Sequence, residues 1–115
     1  MKIAIVLDEN KKDICPVFGR APYFLFAEGD SREILSNPGT SSQGGAGISA
    51  AQFLVDQKAD ILITPRCGEN AAAVFQAAGI KIYKSAGGSA EDNLNSYLKG
   101  ELEELTHFHS GYHGI

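Results

Sequence analysis

The sequence predicts one α/β domain of three layers, in which a five-stranded mixed sheet lies between helices. Two almost wholly apolar runs, Ile3 to Leu7 and Asp60 to Thr64, have the length and composition of strands buried on both faces. Strand patterns alternate with helical periodicity in the second half of the chain, which is typical of α/β folds. The 115 residues, 43% of them hydrophobic, are about the modal size of a single domain.

The first part of the chain contains three predicted strands. Ile3 to Leu7 forms the first strand, and a polar loop, Asp8 to Arg20, follows it. The aromatic-rich run Tyr23 to Ala27 forms the second strand. The short turn Gly29-Asp30-Ser31 then leads to a third strand, Arg32 to Leu35, so strands two and three should form a hairpin.

Helices and strands alternate after this hairpin. The glycine-rich segment Pro38 to Gly47 predicts a long, mobile loop, because it offers almost no apolar anchor. Strand four is Asp60 to Thr64, and strand five is the short run Ile80 to Tyr83, with charged neighbours typical of a sheet edge. The predicted helices run from about Ala50 to Lys58, from Ala71 to Ala78, and from the capping residue Ser89 to Gly100.

The element order restricts the topology of the sheet. Right-handed crossovers make strands four and five parallel to strand one, or to one another, with helices on the faces. The simplest sheet has the order 3-2-1-4-5, with strand two antiparallel to the rest, which is a ribonuclease-H-like topology. Strands one and four are then neighbours, so the loops that carry Cys15 and Cys67 meet at one edge, together with the loop Ser85 to Ser89. Ligands of open α/β sheets commonly bind at such an edge.

Charge and hydropathy exclude several classes of function. A formal net charge of −4 argues against a nucleic-acid binder, which would normally present a basic face to phosphate. The chain contains no apolar stretch of transmembrane length, and Met1-Lys2-Ile3 runs directly into a strand pattern rather than a signal peptide. We therefore expect a cytoplasmic protein without a nucleic-acid or membrane partner, and either a monomer or a weak homo-oligomer.

The residues needed for common hydrolytic mechanisms do not cluster. A two-metal nuclease needs grouped carboxylates, but Asp8 ends strand one, Asp56 lies near the far end of helix one, and Asp60 begins its strand. No histidine lies in the body of the domain, so a Ser/His/Asp set is also missing. The sequence therefore predicts a protein that is not an enzyme.

The two cysteines, Cys15 and Cys67, are candidate metal ligands. Lys11, Lys12 and Arg20 lie near Cys15 in sequence, and Arg66 precedes Cys67; positive charge of this kind stabilises thiolate. Two thiolates suit soft metals and iron-sulfur species, although a complete iron-sulfur cluster normally needs four protein ligands. A sulfide-rich cluster, a cluster shared by two chains, a redox pair and simple burial all remain open. The absence of Cys-x-x-Cys argues against a thioredoxin mechanism.

The predicted helix N-termini form a candidate anion site. Exposed backbone N–H groups and the helix dipole favour an anion such as a sulfidic cluster or phosphate. Arg20 could add a charged hydrogen-bonding fork. The site would combine Arg20 with residues at the starts of helices one, two and three, namely Gly44, Gly45, Ala46 and Gly47, then Gly68 and Asn70, and finally Gly87 and Gly88.

All three histidines lie near the end of the chain. His107, His109 and His113 make residues 106–115 a His-containing segment that we predict to be a flexible tail, after a single domain of residues 1–105. Such a segment is a weaker candidate for binding a divalent metal.

Several motifs, in this order, resemble the dinitrogenase iron-molybdenum cofactor biosynthesis family. The resemblance covers nearly the whole chain, and the combination is specific although no single motif is. The motifs include Phe18-Gly19-Arg20-Ala21, Asn37-Pro38, Gly44-Gly45-Ala46-Gly47-Ile48, Gly68-Glu69-Asn70-Ala71, Ala78-Gly79-Ile80, Gly87-Gly88 and Gly100-Glu101-Leu102.

The resemblance implies a ribonuclease-H-like carrier of an iron-molybdenum cofactor or its precursors. Many members have a histidine just before Phe-Gly-Arg, where this chain has Val17, and another in the glycine loop, where it has Gln43 or a glycine. The cysteines are not general features of the family, so we hypothesise that a thiolate site takes the place of the histidine site.

The sequence thus leads to a non-catalytic binder of an anionic metal-sulfur cluster, for storage or delivery. The cluster would be iron-sulfur, iron-molybdenum cofactor-like or thiomolybdate, and the partners would be cluster donor or acceptor proteins. The alternatives are a cytosolic thiol redox protein or sensor that uses Cys15 and Cys67, and a small phosphate-binding module.

Overall fold

A computed structural model describes residues 1–41 and 45–109 of the chain. In these residues it contains five strands, three α-helices and one short 3-10 helix. The strands are β1 (Ile3–Leu7), β2 (Tyr23–Glu28), β3 (Ser31–Ser36), β4 (Ile61–Thr64) and β5 (Lys81–Lys84). The α-helices are α1 (Ala46–Asp56), α2 (Glu69–Ala78) and α3 (Ala90–Leu98), and the 3-10 helix is Pro38–Ser41.

The strand order is β3-β2-β1-β4-β5, which confirms the predicted sheet. β2 pairs antiparallel with both β1 and β3, whereas β4 is parallel to β1 and to β5. The pairing of Ile3 with Ile61 fixes the register between β1 and β4, so the loops that follow these strands leave the sheet side by side. The fold is therefore the predicted ribonuclease-H-like α/β topology.

The two faces of the sheet support separate layers of helix. On one face, side chains such as Val6 and Leu62 pack with α1 and α2 in a cluster that also contains Phe75. On the other face, alternating residues such as Ile5 and Ile63 pack against α3, which contributes Ala90 and Leu94. Since consecutive side chains of a strand point to opposite faces, the wholly apolar β1 serves both layers, and the predicted three-layer arrangement is confirmed.

The prediction of one long loop from Pro38 to Gly47 is wrong at both ends. Residues Pro38–Ser41 form the 3-10 helix, and α1 already begins at Ala46. Gly45, with φ of 64°, is the N-cap of α1 and turns the chain into it in the left-handed region that glycine tolerates. Hydrophobic periodicity missed this start because Ala46 and Gly47 add little to an apolar pattern.

Helix capping agrees with the sequence at α2 and α3. Gly79 ends α2 in the left-handed conformation, with φ of 76°. The Ser89 hydroxyl accepts a hydrogen bond of 3.1 Å from the backbone N–H of Asp92, as expected of an N-cap. Within residues 1–41 and 45–109, no helix is long and apolar enough to cross a membrane.

Residues 103–109, called the C-terminal strap below, lie along β5 and continue to α2. The Lys84 N–H donates to Glu103 O and the Leu105 N–H donates to Ile82 O, both at 2.8 Å. The Glu69 N–H, at the first residue of α2, donates to His109 O, also at 2.8 Å. Residues 106–109 of the predicted tail thus contact the domain, while 110–115 lie outside the described residues.

Candidate functional site

A pocket of about 480 Å³ opens where the loops after β1 and β4 meet the N-termini of α1 and α2. It lies beyond the carboxyl ends of the parallel strands, where ligands of open α/β sheets bind. Its described walls come from four parts of the chain: Val17, Phe18, Gly19 and Arg20; Gly45, Ala46, Gly47 and Ile48; Arg66, Gly68, Asn70 and Ala71; and His109. Seven of the predicted site residues, with His109 among them, therefore meet here.

Asn37 holds the loops of the pocket together from below. Its side chain is 2% exposed and donates to the carbonyl oxygens of Gly19 and Ala21, both at 2.9 Å. The side-chain oxygen of Asn37, Oδ1, accepts a hydrogen bond of 2.8 Å from the N–H of Gly39. Asn37 thus links the loop after β1 to the segment that leads into α1, and its amide satisfies three backbone groups at once, two of them buried.

Gly19 and Gly47 bring two walls of the pocket into backbone contact. A Cβ atom added at Gly19 would lie 2.9 Å from both Cα and N of Gly47, closer than real Cβ atoms come. The Phe-Gly-Arg loop can pack on the first turn of α1 only because Gly19 has no side chain; a Cβ atom at Gly47 would make only an ordinary contact of 3.7 Å with Ala71. This contact fixes the position of Arg20 relative to the α1 N-terminus.

The pocket carries positive charge from Arg20 and Arg66, which are both exposed. Among the described residues, neither guanidinium group has an ion-pair or hydrogen-bond partner. The first-turn N–H groups of α1 have no acceptor within the helix, and they add the positive end of its dipole. The pocket is thus a concentration of hydrogen-bond donors in a chain whose net charge is −4.

The cysteines lie in the core beside this pocket and do not line it. Cys15 is 4% exposed and Cys67 is 1% exposed; both are free thiols in the cluster between the sheet and α1 and α2. Burial raises the pKa of Cys67 to about 12. Burial and the nearby Asp8 charge raise the pKa of Cys15 despite a backbone hydrogen bond with Val17. The expectation that neighbouring cations stabilise the thiolates is therefore wrong, because desolvation dominates.

The α3 N-terminus does not reach the pocket. Gly88 accepts a hydrogen bond of 3.0 Å from the Ile14 N–H, and Gly87 is exposed. Both precede α3, which packs on the opposite face of the sheet from α1 and α2. The predicted meeting of three helix N-termini is reduced to two, α1 and α2.

The predicted histidines and Gly44 do not all lie in the same place. His109 lines this pocket and also a second pocket of about 370 Å³. His107, which is exposed, and Cys67 line only the second of these two pockets. Gly44 and His113 fall outside the described residues.

Several residues of the pocket wall, and Asn37 beneath it, were not among the predicted site residues. Arg66 was considered only as a neighbour of Cys67, although it lines the pocket. Val17 and Ile48, which are 45% and 46% exposed, form an apolar rim, and exposure of that kind was not visible in the sequence. The Asn37-Pro38 motif was a signal for Asn37, which supports the site without lining it.

The donor set fits an anion better than a bare metal ion. In the described parts of the chain, no three His, Cys, Asp or Glu side chains are grouped so that they could hold a metal ion. Guanidinium and backbone N–H groups cannot coordinate a metal, but they donate hydrogen bonds to the sulfur atoms of sulfides and to the oxygen atoms of phosphate. A metal-sulfur cluster with net negative charge fits both the donor-rich lining and the lack of grouped metal ligands in the described residues, because its own sulfides occupy most coordination positions of its metal atoms.

Known structures share this fold. The orange protein of Desulfovibrio gigas, in its apo form, is 29% identical with a TM-score of 0.84, over 91% of this chain and 92% of that one. A NifB-like protein from Thermotoga is 31% identical with a TM-score of 0.78, over 93% of this chain and 95% of that one.

Sequence comparison agrees with the structural likeness. An uncharacterized protein of Methanocaldococcus jannaschii is 29% identical over 110 residues, which cover 91% of this chain and 92% of that protein. The sequence profile of the family described as "Dinitrogenase iron-molybdenum cofactor" matches residues 1–100, and the motifs of the pocket fall within that range. The chain therefore belongs to the dinitrogenase iron-molybdenum cofactor family.

Proposed function

We propose that this protein binds an anionic metal-sulfur cluster in the pocket between Arg20 and Arg66, for storage or delivery. One observation carries the proposal: two guanidinium groups without an ion-pair or hydrogen-bond partner among residues 1–41 and 45–109 line a pocket that also contains the N-terminus of α1. Membership of the dinitrogenase iron-molybdenum cofactor family supports a cluster as the anion.

The chemistry of the pocket supports reversible binding. Charge-assisted hydrogen bonds from guanidinium groups contribute about 1.5–3 kcal/mol each, and the exposure of Arg20 and Arg66 keeps them at the lower end. Several such bonds together retain a cluster, and each of them can break and re-form when the cluster is released or taken up. A carrier that receives its cluster from a donor protein and passes it to an acceptor needs this balance.

The described lining holds no nucleophilic side chain. Besides arginines, glycines and apolar residues it contains Asn70 and His109, and the cysteine thiols that could act as nucleophiles are buried outside it. We therefore propose carriage of the cluster without chemical change. The free, buried cysteines also suit a reducing compartment, and we propose the cytoplasm.

The alternative of a thiol redox protein has less support. A reactive cysteine is accessible and has a lowered pKa, whereas the thiol of Cys67 is 1% exposed with its pKa raised to about 12. A phosphate-binding module would use the same donors as a cluster carrier. Direct competition between the two anions distinguishes these functions.

Titration with tetrathiomolybdate under anaerobic conditions tests the proposal. We expect saturable binding by the wild type, followed by the absorbance of the anion, and a loss of about tenfold in affinity for Arg20→Ala and for Arg66→Ala. Arg32→Ala is the matched control, because Arg32 is paired with Glu91 at 2.7 Å and does not line the pocket.

A second series adds inorganic phosphate as competitor. We expect millimolar phosphate to leave most of the tetrathiomolybdate bound, since soft, polarizable sulfide loses less hydration on entering the pocket. Absence of binding, equal weakening by Arg32→Ala, or preferential binding of phosphate would each overturn the cluster proposal.

A further inference from the structure

The C-terminal strap brings a histidine to the wall of the pocket. Its backbone is fixed at both ends, because Leu105 N–H donates to Ile82 O and His109 O accepts from the Glu69 N–H, each at 2.8 Å. Between these points Phe108, which is partly buried, packs on the hydrophobic core between the sheet and helices α1 and α2. The strap therefore holds His109 at the start of α2, beside Arg66 and Gly68.

His109 differs chemically from the other described lining residues. Arginine guanidinium groups and backbone N–H groups only donate hydrogen bonds, whereas a neutral imidazole offers a nitrogen lone pair to a metal. Asn70 offers an amide oxygen, which suits hard cations rather than iron or copper. His109 is thus the one side chain in the described lining with a donor suited to the metals of a sulfidic cluster.

We propose that the imidazole of His109 is a direct protein ligand to a metal atom of the cluster bound in this pocket. This inference rests on the proposed function and assigns one residue within it. The guanidinium groups of Arg20 and Arg66 bind the sulfides of the cluster, and His109 binds one of its metal atoms. The ligand role expected of the two cysteines passes to a residue of the strap.

The ligation step is a ligand exchange without electron transfer. A nitrogen of the neutral imidazole forms a bond to an iron atom, and the bond from that iron to a water molecule or a small thiolate breaks. If the imidazole is protonated beforehand, its proton passes to solvent. By contrast, ligation by Cys67 would require a buried thiol to lose its proton and to become accessible.

Two anionic probes separate the role of His109 from that of the arginines. Tetrathiomolybdate has a saturated metal centre and presents only sulfur, so it tests the arginines alone. A cluster assembled anaerobically from ferrous iron and sulfide has iron atoms that accept a further ligand. We expect His109→Ala to leave tetrathiomolybdate affinity within about twofold of wild type and to lower retention of the iron-sulfide cluster by at least about tenfold.

Spectroscopy and rescue distinguish ligation from a structural role. With 15N-histidine, the wild type should show an imidazole nitrogen coupled to the cluster by pulsed electron paramagnetic resonance, and His109→Ala should lose that coupling. Free imidazole should restore cluster retention in His109→Gly. His107→Ala, at an exposed residue outside the pocket, is the control and should behave as wild type. The same measurement on His113→Ala tests whether the coupling belongs to that residue instead.

The outcomes divide between the two proposals. If tetrathiomolybdate does not bind the wild type, the proposed function fails. If it binds as expected while His109→Ala retains the iron-sulfide cluster with its nitrogen coupling intact, His109 is not the ligand and the anion pocket stands. Loss of the coupling in His107→Ala or His113→Ala instead would also overturn the assignment to His109.

Discussion

At the scale of single residues, the Cys67 thiol is held neutral by burial. Its pKa is raised from the ordinary value of 9.0 to about 12, so above pH 9 the folded state binds a proton that the unfolded state releases. The stabilising contribution is complete below pH 9 and is lost as the pH rises toward 12, by at most about 1.4 kcal/mol per pH unit. We predict that the destabilisation caused by Cys67→Ala, measured by urea unfolding, shrinks between pH 8 and pH 10.5.

A buried residue that does not ionise provides the comparison. Ile63→Val removes one methylene from the core on the other face of the sheet, and its cost should be the same at both pH values. If the cost of Cys67→Ala also stays constant with pH, the thiol is not desolvated as the structure indicates.

Asn37 is predicted to contribute more to stability than any exposed asparagine. Asn37→Ala leaves the carbonyl oxygens of Gly19 and Ala21 and the N–H of Gly39 without their hydrogen-bond partner. Buried polar groups without partners cost about 1–3 kcal/mol each, and partial relaxation lowers the sum. We expect a loss of about 3 kcal/mol in the free energy of unfolding, measured from urea midpoints.

The exposed Asn95 in α3 is the matched control for Asn37. Asn95→Ala should change stability by no more than about 0.5 kcal/mol, since surface positions of this kind have small effects. Similar losses for the two variants would mean that the hydrogen bonds of the Asn37 amide do not support the loops.

At the scale of elements, the loop after β1 and the first turn of α1 meet through Gly19 and Gly47. A Cβ atom in Gly19→Ala would lie 2.9 Å from two backbone atoms of Gly47, so the loop or the helix has to shift. We expect a destabilisation of about 1–3 kcal/mol, typical of overpacking, and weaker tetrathiomolybdate binding because Arg20 moves with the loop.

Gly87→Ala separates this contact from the general effect of adding a methyl group to glycine. A Cβ atom at Gly87 meets no atom within 4 Å, and the residue is not in the left-handed region. Alanine there should be neutral or stabilising by up to about 1 kcal/mol, because it restricts the unfolded chain. Equal stability of the two variants would contradict the close packing at Gly19.

The elements also differ in how far the sequence predicts them. The apolar runs of β1 and β4, with the rule of right-handed crossovers, were enough for the strand order, since buried strands carry a strong local pattern. The start of α1 could not be predicted in this way, because its first residues pack against Gly19 and carry no apolar periodicity. Local pattern cannot report a contact between residues 28 positions apart.

At the scale of the whole molecule, the pocket lies where the sequence predicts a binding site, but only part of its lining was among the predicted residues. The meeting of loops at the carboxyl ends of β1 and β4 follows from topology, so Arg20 and the glycine loops were found. The depth of each cysteine depends on which way the loop side chains turn, and sequence neighbours such as Arg66 say nothing about that. The course of the strap back to α2 likewise depends on pairing across the whole chain.

The strap links overall stability to the site, and Phe108 is its main apolar contact. Phe108→Ala removes a partly buried ring from the hydrophobic core beneath α1 and α2, at a cost of about 1–2 kcal/mol in the free energy of unfolding. The chain between Leu105 and His109 then loses its apolar contact with the core. Relative to wild type, we expect hydrogen exchange to become faster at the amides of Leu105 and Glu69 and to change less at other amides. We also expect weaker retention of the iron-sulfide cluster, while tetrathiomolybdate binding stays unchanged. Leu98→Ala, at a side chain 65% exposed, should alter none of these. Unchanged exchange at Glu69 in Phe108→Ala would mean that His109 keeps its position without this packing, and the strap would then not couple the fold to the pocket.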